Sequence, residues 1–245
     1  MPTIADNLAL VRDRIAAATR RCGRPTSSVR LVAVSKGQSV AAIAQAYAAG
    51  QRDFGENRVQ EALAKQPDAP PGIVWHMIGH VQVNKAKQVP GLFQFVHSAD
   101  SVRLLETLDR HAVAAGRTLD ILLQANLSGE SSKAGVRDTA GLEPLLAAAL
   151  ICRALRPVGL MTIPDPAGGE AQTRAVFRRL REALESLRVA CGAGQIFREL
   201  SMGMSHDYEW AIAEGATLVR IGTAIFGPRP VAEGRGPGAP LTQGP

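Results

Sequence analysis

A lysine follows an apolar run near the start of the chain. Lys36 comes directly after the segment LVAVS (31 to 35), which has the composition of a buried strand. An amine held at the end of such a strand, against apolar walls, loses solvation, and its neutral form can then attack an aldehyde or ketone. A lysine after a strand can equally be an ordinary solvated side chain, so this position alone leaves both interpretations open.

Small and polar residues follow the last two predicted strands. The segment RIGTAIFG (220 to 227) places Gly222 where backbone can approach a ligand and Thr223 at the start of a short helix, a position where barrel proteins often bind phosphate. Ser205 opens the preceding helix and can add a hydroxyl to the same anion. It can also be a plain helix cap, with Asp207 in the first helical turn.

An arginine lies inside the apolar segment TLVRIG (217 to 222). A buried charge without a partner is costly, so Arg220 must be satisfied by some other group. A carboxylate of the protein and a heteroaromatic nitrogen of a ligand both remain open as that partner.

These residues fall at the ends of β-branched segments that alternate with Ala- and Leu-rich helical segments. The eight predicted strands are 29–35, 52–54, 73–79, 93–98, 119–126, 157–163, 198–202 and 217–222. The alternation predicts an α/β fold, a single-domain (β/α)₈ TIM barrel, with an extra N-terminal helix at 4–20 that covers the barrel bottom or flanks the last helix. An open doubly wound sheet is the main alternative, but the G-x-G-x-x-G that usually follows its early strand is absent.

Barrel active sites form at the carboxyl ends of the strands. The same rule therefore places further residues at the mouth, namely the polar Asn57, His80, Asn84, Asp100, Asn126 and Thr162 and the apolar Met204. His76 and His80 are four apart on an extended segment, roughly 13 Å, which is too far to share a metal ion. We predict no metal site.

Composition narrows the function classes. The three cysteines, Cys22, Cys152 and Cys191, lack metal or disulfide spacing, which favours a reducing, cytoplasmic location, and no apolar stretch suggests export or a membrane span. Net charge is +6, but the arginines are scattered and aromatic content is 4%, so nucleic-acid binding is not expected. Residues 1–227 are predicted to form the barrel domain, and the Pro/Gly-rich segment 228–245 a disordered tail.

A family resemblance spans residues 32 to 227. It is carried, in order, by AVSKGQ, FGENRVQE, WHMIGHVQVNK, SSKAGV, GLMTIP, LSMGMSHD and VRIGTAIFG. These segments resemble the pyridoxal phosphate homeostasis proteins (the YggS/PROSC family), which are similar to the barrel domain of bacterial alanine racemase. Two departures are Gly37-Gln38-Ser39, where the family usually has Thr, then Lys or Val, then Pro, and Val81, which replaces a common Leu; neither removes an expected contact.

The resemblance implies a cofactor and its contacts. Pyridoxal 5′-phosphate (PLP) would form a Schiff base with Lys36, its phosphate would be held by Ser205, Gly222 and Thr223, Arg220 would face the pyridine nitrogen, and Asn57, His76 and Met204 would line the ring. An arginine at that nitrogen keeps it unprotonated, which weakens the ring as an electron sink.

The resemblance also implies a function. The family is understood to bind PLP without catalysing turnover and to affect vitamin B6 and amino-acid pools, with apo PLP-dependent enzymes as acceptors. Alanine racemase takes a second base from a separate C-terminal β-domain, which we do not expect here. A weak PLP-dependent racemase-like enzyme and a Schiff-base aldolase that needs no cofactor are the alternatives. We predict a monomer, and Lys133 is a second amine that can accept PLP transiently or remain solvated.

Overall fold

Eight short apolar segments form parallel strands that close on themselves. They are β1 (Arg30–Val34), β2 (Asp53–Glu56), β3 (Val74–Met77), β4 (Phe95–Ala99), β5 (Leu119–Ala125), β6 (Leu155–Thr162), β7 (Glu199–Ser201) and β8 (Leu218–Ile221). Each strand pairs with the next along the chain, and β8 pairs with β1. The predicted (β/α)₈ barrel is therefore confirmed, and the open sheet is excluded.

The structure is a computed structural model that describes residues 2–127, 134–192, 194 and 196–228. Lys133 and residues 229–245 of the predicted tail lie outside the described residues.

Helices fill the connections between strands. They are α1 (Ile4–Arg21), α2 (Val40–Ala48), α3 (Val59–Lys65), α4 (Val89–Leu92), α5 (Val102–Ala114), α6 (Thr139–Leu150), α7 (Glu170–Ala190), α8 (Tyr208–Ala213) and α9 (Thr223–Phe226), with 3₁₀ turns at Thr26–Ser28, Gln66–Asp68 and Val83–Gln88. Gly50, Gly116, Gly192 and Gly215 follow helices with positive φ, as predicted for helix ends.

The alternation of side chains along each strand gives the core two layers. Leu31 and Ala33 of β1 point outward and belong to the large apolar cluster between the strands and the helices. Val32, between them, belongs to a smaller cluster inside the barrel, together with Leu122, Val158, Met161 and Leu218. The interior is thus packed, as in other barrels of this type, and a ligand has room only at an open end.

The helix α1 lies beside α8 and α9 rather than across the barrel bottom. Asn7 Nδ2 donates a hydrogen bond of 3.0 Å to the carbonyl of Ile225 in α9. Arg14 and Arg21 both pair with Glu209 of α8 at 2.7 Å. Of the two positions predicted for the extra helix, flanking the last helices is therefore the observed one.

Candidate functional site

One cavity of about 250 Å³ lies at the carboxyl ends of the strands. Seven of the eight sequence-predicted site residues line it: Lys36, Asn57, Met204, Ser205, Arg220, Gly222 and Thr223. Ile78 and Ile163 add apolar wall. A second cavity of about 300 Å³ adjoins it through Asn57 and also contacts His80 and Asn126.

The loop that carries Lys36 is tied to α3 by a second, buried lysine. Lys65 Nζ donates hydrogen bonds to the carbonyl of Ser35 at 2.8 Å, to Glu56 Oε1 at 2.9 Å and to Glu61 Oε1 at 2.7 Å. Three acceptors match the three protons of an ammonium group. The backbone on the N-terminal side of Lys36 is therefore held by an ammonium group whose three protons are all donated in hydrogen bonds.

Both glutamates also contact the loop directly. The hydroxyl of Ser35 donates to Glu56 Oε1 at 2.7 Å, and the amide of Gly37 donates to Glu61 Oε1. Burial raises the pKa of Glu56, against the opposing effect of these hydrogen bonds. Gly37 has a φ of 71°, which explains why a glycine follows Lys36 in this sequence. The loop is thus anchored on both sides of Lys36.

The position of Asn57 depends on a close contact between its backbone and that of Gly79, which follows β3. A Cβ atom added at Gly79 would lie 2.3 Å from the carbonyl oxygen of Asn57, so only glycine fits there. The hydroxyl of Ser98 donates to the carbonyl of Gly79 at 2.6 Å and fixes this segment from the other side. The segment Ile78-Gly79-His80, which follows β3, therefore sets the position of Asn57 at the cavity.

The loop with Met204 and Ser205 depends on Gly203. Its φ is 93°, and an added Cβ would lie 2.7 Å from Ala211 Cβ. The carbonyl of Gly203 accepts a hydrogen bond from the amide of Arg220 at 2.9 Å, and the amide of Met204 donates to Asp207 Oδ1 at 2.5 Å. The SMGMS string thus specifies a tight loop that presents Met204 and Ser205 to the cavity.

Gly222 and Thr223 line the same cavity as Met204 and Ser205. Gly222 packs against β1, because an added Cβ would lie 3.2 Å from the carbonyl oxygen of Val34. Thr223 opens α9, and both residues line the cavity with Ser205. One hydroxyl of Ser205, one of Thr223 and the glycine backbone therefore face the same space.

Arg220 is buried and is satisfied by neutral groups. Its Nη1 donates to Ser201 Oγ at 2.5 Å and its Nη2 donates to the carbonyl of Thr162 at 2.9 Å. Burial lowers the pKa of Arg220 to about 10, with Asp207 opposing that shift. The guanidinium is still a cation at neutral pH, and it lines the cavity.

His76 is the predicted site residue that does not line this cavity. Its side chain is fully buried inside the barrel, where Nε2 lies 3.0 Å from Asp53 Oδ1 and Nδ1 lies 2.9 Å from His97 Nε2. Its ring stacks on Phe95 with centroids 4.4 Å apart. The expectation that His76 lines the ring therefore lacks geometric support, because the side chain points into the barrel interior.

Reasoning from strand ends missed the residues behind the cavity. The rule considers residues that follow a strand, and it passes over residues that belong to a strand or to a helix, namely Asp53, Glu56, His97 and Ser201 in strands and Lys65 at the end of α3. The available signal was a polar residue inside a strand that is mostly apolar, such as His97 in β4.

The arrangement suits a carbonyl compound that carries an anionic group. Lys36 supplies a primary amine, Arg220 a cation, and Ser205 a hydroxyl beside glycine backbone, all around one small cavity. Groups of this kind bind a carbonyl carbon, a ring nitrogen or carboxylate, and a phosphate, respectively.

The fold and cavity define a (β/α)₈ barrel protein with an amine at its mouth, and the family model described as "Alanine racemase, N-terminal domain" matches residues 7–230. The protein named "Pyridoxal phosphate homeostasis protein" of Pseudomonas aeruginosa is 46% identical over 230 residues, which cover 94% of this chain and 97% of that protein. The protein of the same name from Escherichia coli K12 is 43% identical over 233 residues, 94% of this chain and 98% of that one. The chain belongs to the family of pyridoxal phosphate homeostasis proteins.

A solved structure agrees with this assignment. PipY of Synechococcus elongatus PCC7942, determined with PLP bound, is 41% identical and superposes with a TM-score of 0.80 over 92% of this chain and 100% of that chain. Within the part of the chain that the structure describes, none of the helices has the length and apolar character needed to cross a bilayer.

Proposed function

We propose that this protein binds PLP as a Schiff base on Lys36 and maintains the supply of that cofactor rather than catalysing turnover with it. The observation that carries the proposal is the meeting of Lys36, Ser205 and Arg220 around one cavity of about 250 Å³. The 41% identity to a structure with PLP bound supports the choice of ligand. The cavity belongs to a single barrel domain, residues 1–227.

Each group of the ligand has a counterpart among the lining residues. The amine of Lys36 meets the aldehyde carbon, and Ser205 with Gly222 and Thr223 holds the phosphate. Arg220 faces the pyridine nitrogen, and Asn57 and Met204 line the ring. The fixed Lys36 loop and the tight turn at Gly203 support these roles, because preorganised contacts keep the cost of ordering low on binding.

Arg220 supports a role other than catalysis. With a pKa of about 10 it carries its proton at pH 7, so a ring nitrogen facing it accepts a hydrogen bond and stays unprotonated. PLP supplies an electron sink when its ring nitrogen is protonated, and this contact weakens that property. The protein therefore holds the cofactor while providing little assistance to carbanion chemistry.

A protein that maintains the supply of a cofactor must pass it on to the enzymes that use it. We propose that the protein works as a monomer in the cytoplasm and releases PLP to apo PLP-dependent enzymes. Purified, loaded protein mixed with an apo-enzyme should restore that enzyme's activity. Steady consumption of alanine or another amino acid at many turnovers per site, lost in Lys36→Ala, would instead establish an enzyme.

Peptide mapping tests the attachment site. Wild-type protein is loaded with PLP, reduced with borohydride, digested and analysed by mass spectrometry. The adduct should lie on the peptide that contains Lys36, and Lys87→Ala, which removes an exposed amine of the 3₁₀ turn after β3, should leave that label unchanged. Label on other lysines in the wild-type protein, with Lys36 unmodified, would refute the proposal.

A further inference from the structure

Five side chains form a continuous hydrogen-bonded chain through the barrel interior. Arg220 Nη1 lies 2.5 Å from Ser201 Oγ, which lies 2.8 Å from His97 Nδ1. His97 Nε2 lies 2.9 Å from His76 Nδ1, and His76 Nε2 lies 3.0 Å from Asp53 Oδ1. The chain begins at the cavity and ends at the first residue of β2, at the opposite end of the barrel.

The end groups fix the direction of every proton between them. A guanidinium only donates and a carboxylate only accepts. Ser201 accepts from Arg220, so its own proton has an acceptor in this chain only at His97 Nδ1. The proton of His97 is then on Nε2 and is donated to His76.

The same direction continues to the far end. His76 accepts at Nδ1, carries its proton on Nε2 and donates it to Asp53. Starting from Asp53 and working back gives the same arrangement, since the carboxylate requires a proton on His76 Nε2. Both imidazoles are therefore neutral and have the same tautomer.

Burial agrees with this state. His76, His97 and Ser201 have no exposed surface, and burial lowers the pKa of His76 and lowers that of His97 well below the usual value. Asp53 is different, because 20% of its side chain is exposed and it borders a cavity between α1 and the start of β2. The far end of the chain thus meets solvent while its middle does not.

Other charged groups act on the chain from neighbouring elements. Arg30 lies 3.7 Å from Asp53, and it also acts on both histidines through space. Asp120 of β5 acts on His76, and Asp207 acts on Arg220. Within the described part of the chain, side-chain hydrogen bonds nevertheless lead without interruption from Arg220 to Asp53.

We propose that Asp53, His76, His97 and Ser201 are positioning residues that orient the Arg220 guanidinium. Through this hydrogen-bonded chain, the charge of the Asp53 carboxylate at the far end of the barrel affects the electrostatic field that Arg220 produces in the cofactor cavity. The proposal rests on the proposed function only in taking PLP as the ligand that senses this field. Each member of the chain orients the next, because a donor whose acceptor is fixed has one orientation. Asp53 therefore influences the cavity without contacting it.

The first test needs no ligand. In the ligand-free wild-type protein, nitrogen-15 NMR of the histidine side chains reports tautomer and protonation directly. Two of the five histidines should show a proton on Nε2 and a bare Nδ1 and should not titrate between pH 5.5 and 8. Assignment uses His76→Gln and His97→Gln. A buried histidine with its proton on Nδ1, or one charged in this range, would overturn the proposal.

The second test uses the bound cofactor as a reporter. Asp53→Asn keeps an oxygen that accepts from His76 but removes the charge. Loss of a negative charge disfavours the protonated Schiff base, so the midpoint of the pH titration of the visible absorption band should fall by about half a pH unit. Ser201→Ala, which breaks the chain next to Arg220, should also change the absorption spectrum.

The matched control is Glu199→Gln. Glu199 is the first residue of β7, its side chain is 21% exposed, and it is bonded to Thr217 rather than to the chain. Glu199 and Asp53 each begin a strand at the same end of the barrel, so a simple through-space effect would shift the midpoint in both variants. We expect a much smaller shift for Glu199→Gln; equal shifts for the two variants, or none for Asp53→Asn, would contradict the coupling.

The outcomes separate this inference from the proposed function. If wild-type protein forms no visible adduct with PLP, the proposed function fails and the NMR result decides the hydrogen-bonded chain by itself. If the adduct forms on Lys36 and the Asp53→Asn titration matches that of Glu199→Gln, the function stands and the coupling is refuted.

Discussion

Lys65 Nζ lies 2.9 Å from Glu56 Oε1, and this buried pair adjoins the loop that carries Lys36. Lys65→Met would leave Glu56 and Glu61 near each other without their cation. Removing one partner of a buried ion pair costs about 3–5 kcal/mol, so we expect a fall of that size in the free energy of unfolding measured with urea. Lys87→Met, at an exposed position, should stay within about 0.5 kcal/mol of wild type; similar values for the two variants would show that Lys65 is not structural.

Gly203 should tolerate no side chain. Gly203→Ala combines an unfavourable φ of 93° with a contact of 2.7 Å to Ala211 Cβ, so the loop that holds Met204 must move. We expect a loss of roughly 2–4 kcal/mol of stability in thermal or urea unfolding and weaker PLP binding.

The control for this substitution is Gly91→Ala. Gly91 lies in α4 with no atom near the position of an added Cβ, and alanine favours helices. Its stability should match or exceed that of wild type. A stable Gly203→Ala variant with unchanged PLP affinity would contradict the account of the SMGMS loop.

Stability should depend on pH through the two buried histidines. Burial lowers the pKa of His76 and of His97 below the ordinary value of 6.5. As pH falls through 6.5 the unfolded chain takes up protons at these positions before the folded protein does, so stability is present above that value and is lost as pH falls below it. The slope is roughly 1.4 kcal/mol per pH unit for each histidine.

Urea unfolding between pH 7.5 and 5.5 measures this slope. His97→Gln should reduce the pH slope of the free energy of unfolding by about 1.4 kcal/mol per pH unit, the contribution of one histidine, whatever its effect on stability at pH 7.5. His111→Gln removes a partly exposed imidazole of α5, outside the barrel, and serves as the control. An unchanged slope in His97→Gln would mean that His97 takes up its proton in the folded state.

Glu214 should contribute more than its exposed neighbour Glu170. Arg174, Arg178 and Arg181 of α7 converge on Glu214 at 2.9, 3.3 and 3.8 Å, and its side chain is only 5% exposed. Although burial raises the pKa of Glu214, hydrogen bonds from Arg178 and Arg174 leave it below its usual value. Glu214→Gln leaves three close cations and should cost about 1–3 kcal/mol in urea unfolding.

Glu170→Gln provides the comparison, because Glu170 begins α7, the helix that carries the three arginines. Glu170 pairs with Arg174 at 3.3 Å, but its side chain is 52% exposed, and such pairs contribute about 0.5 kcal/mol or less. Equal losses in the two variants would show that the convergence on Glu214 adds nothing.

The barrel and its mouth could be predicted from the sequence because both depend on local patterns. Runs such as LVAVS before Lys36 mark strands, and the parallel topology brings all strand ends to one rim. Seven of eight predicted residues therefore lie around one cavity, although their roles toward PLP stay predictions until mapping is done.

The interior chain could not be predicted in the same way. His97 of β4 meets Ser201 of β7 across the barrel, between strands that are not neighbours and residues 104 apart in sequence. Such a contact depends on barrel diameter and strand stagger, which no short segment encodes. The family segment that contains His76 likewise does not encode these long-range contacts, and the side chain of His76 lies in the barrel interior.

The docking of α1 against α8 and α9 has a consequence for how the chain folds during synthesis. A ribosome makes α1 before any strand, yet Ile225, which receives the Asn7 hydrogen bond, is 218 residues further on. The early helix α2 also contacts α1, but the part of α1 that packs on α8 and α9 stays uncovered until those helices have been made. The docking of α1 on them is therefore a late step of folding, although α1 itself is made first.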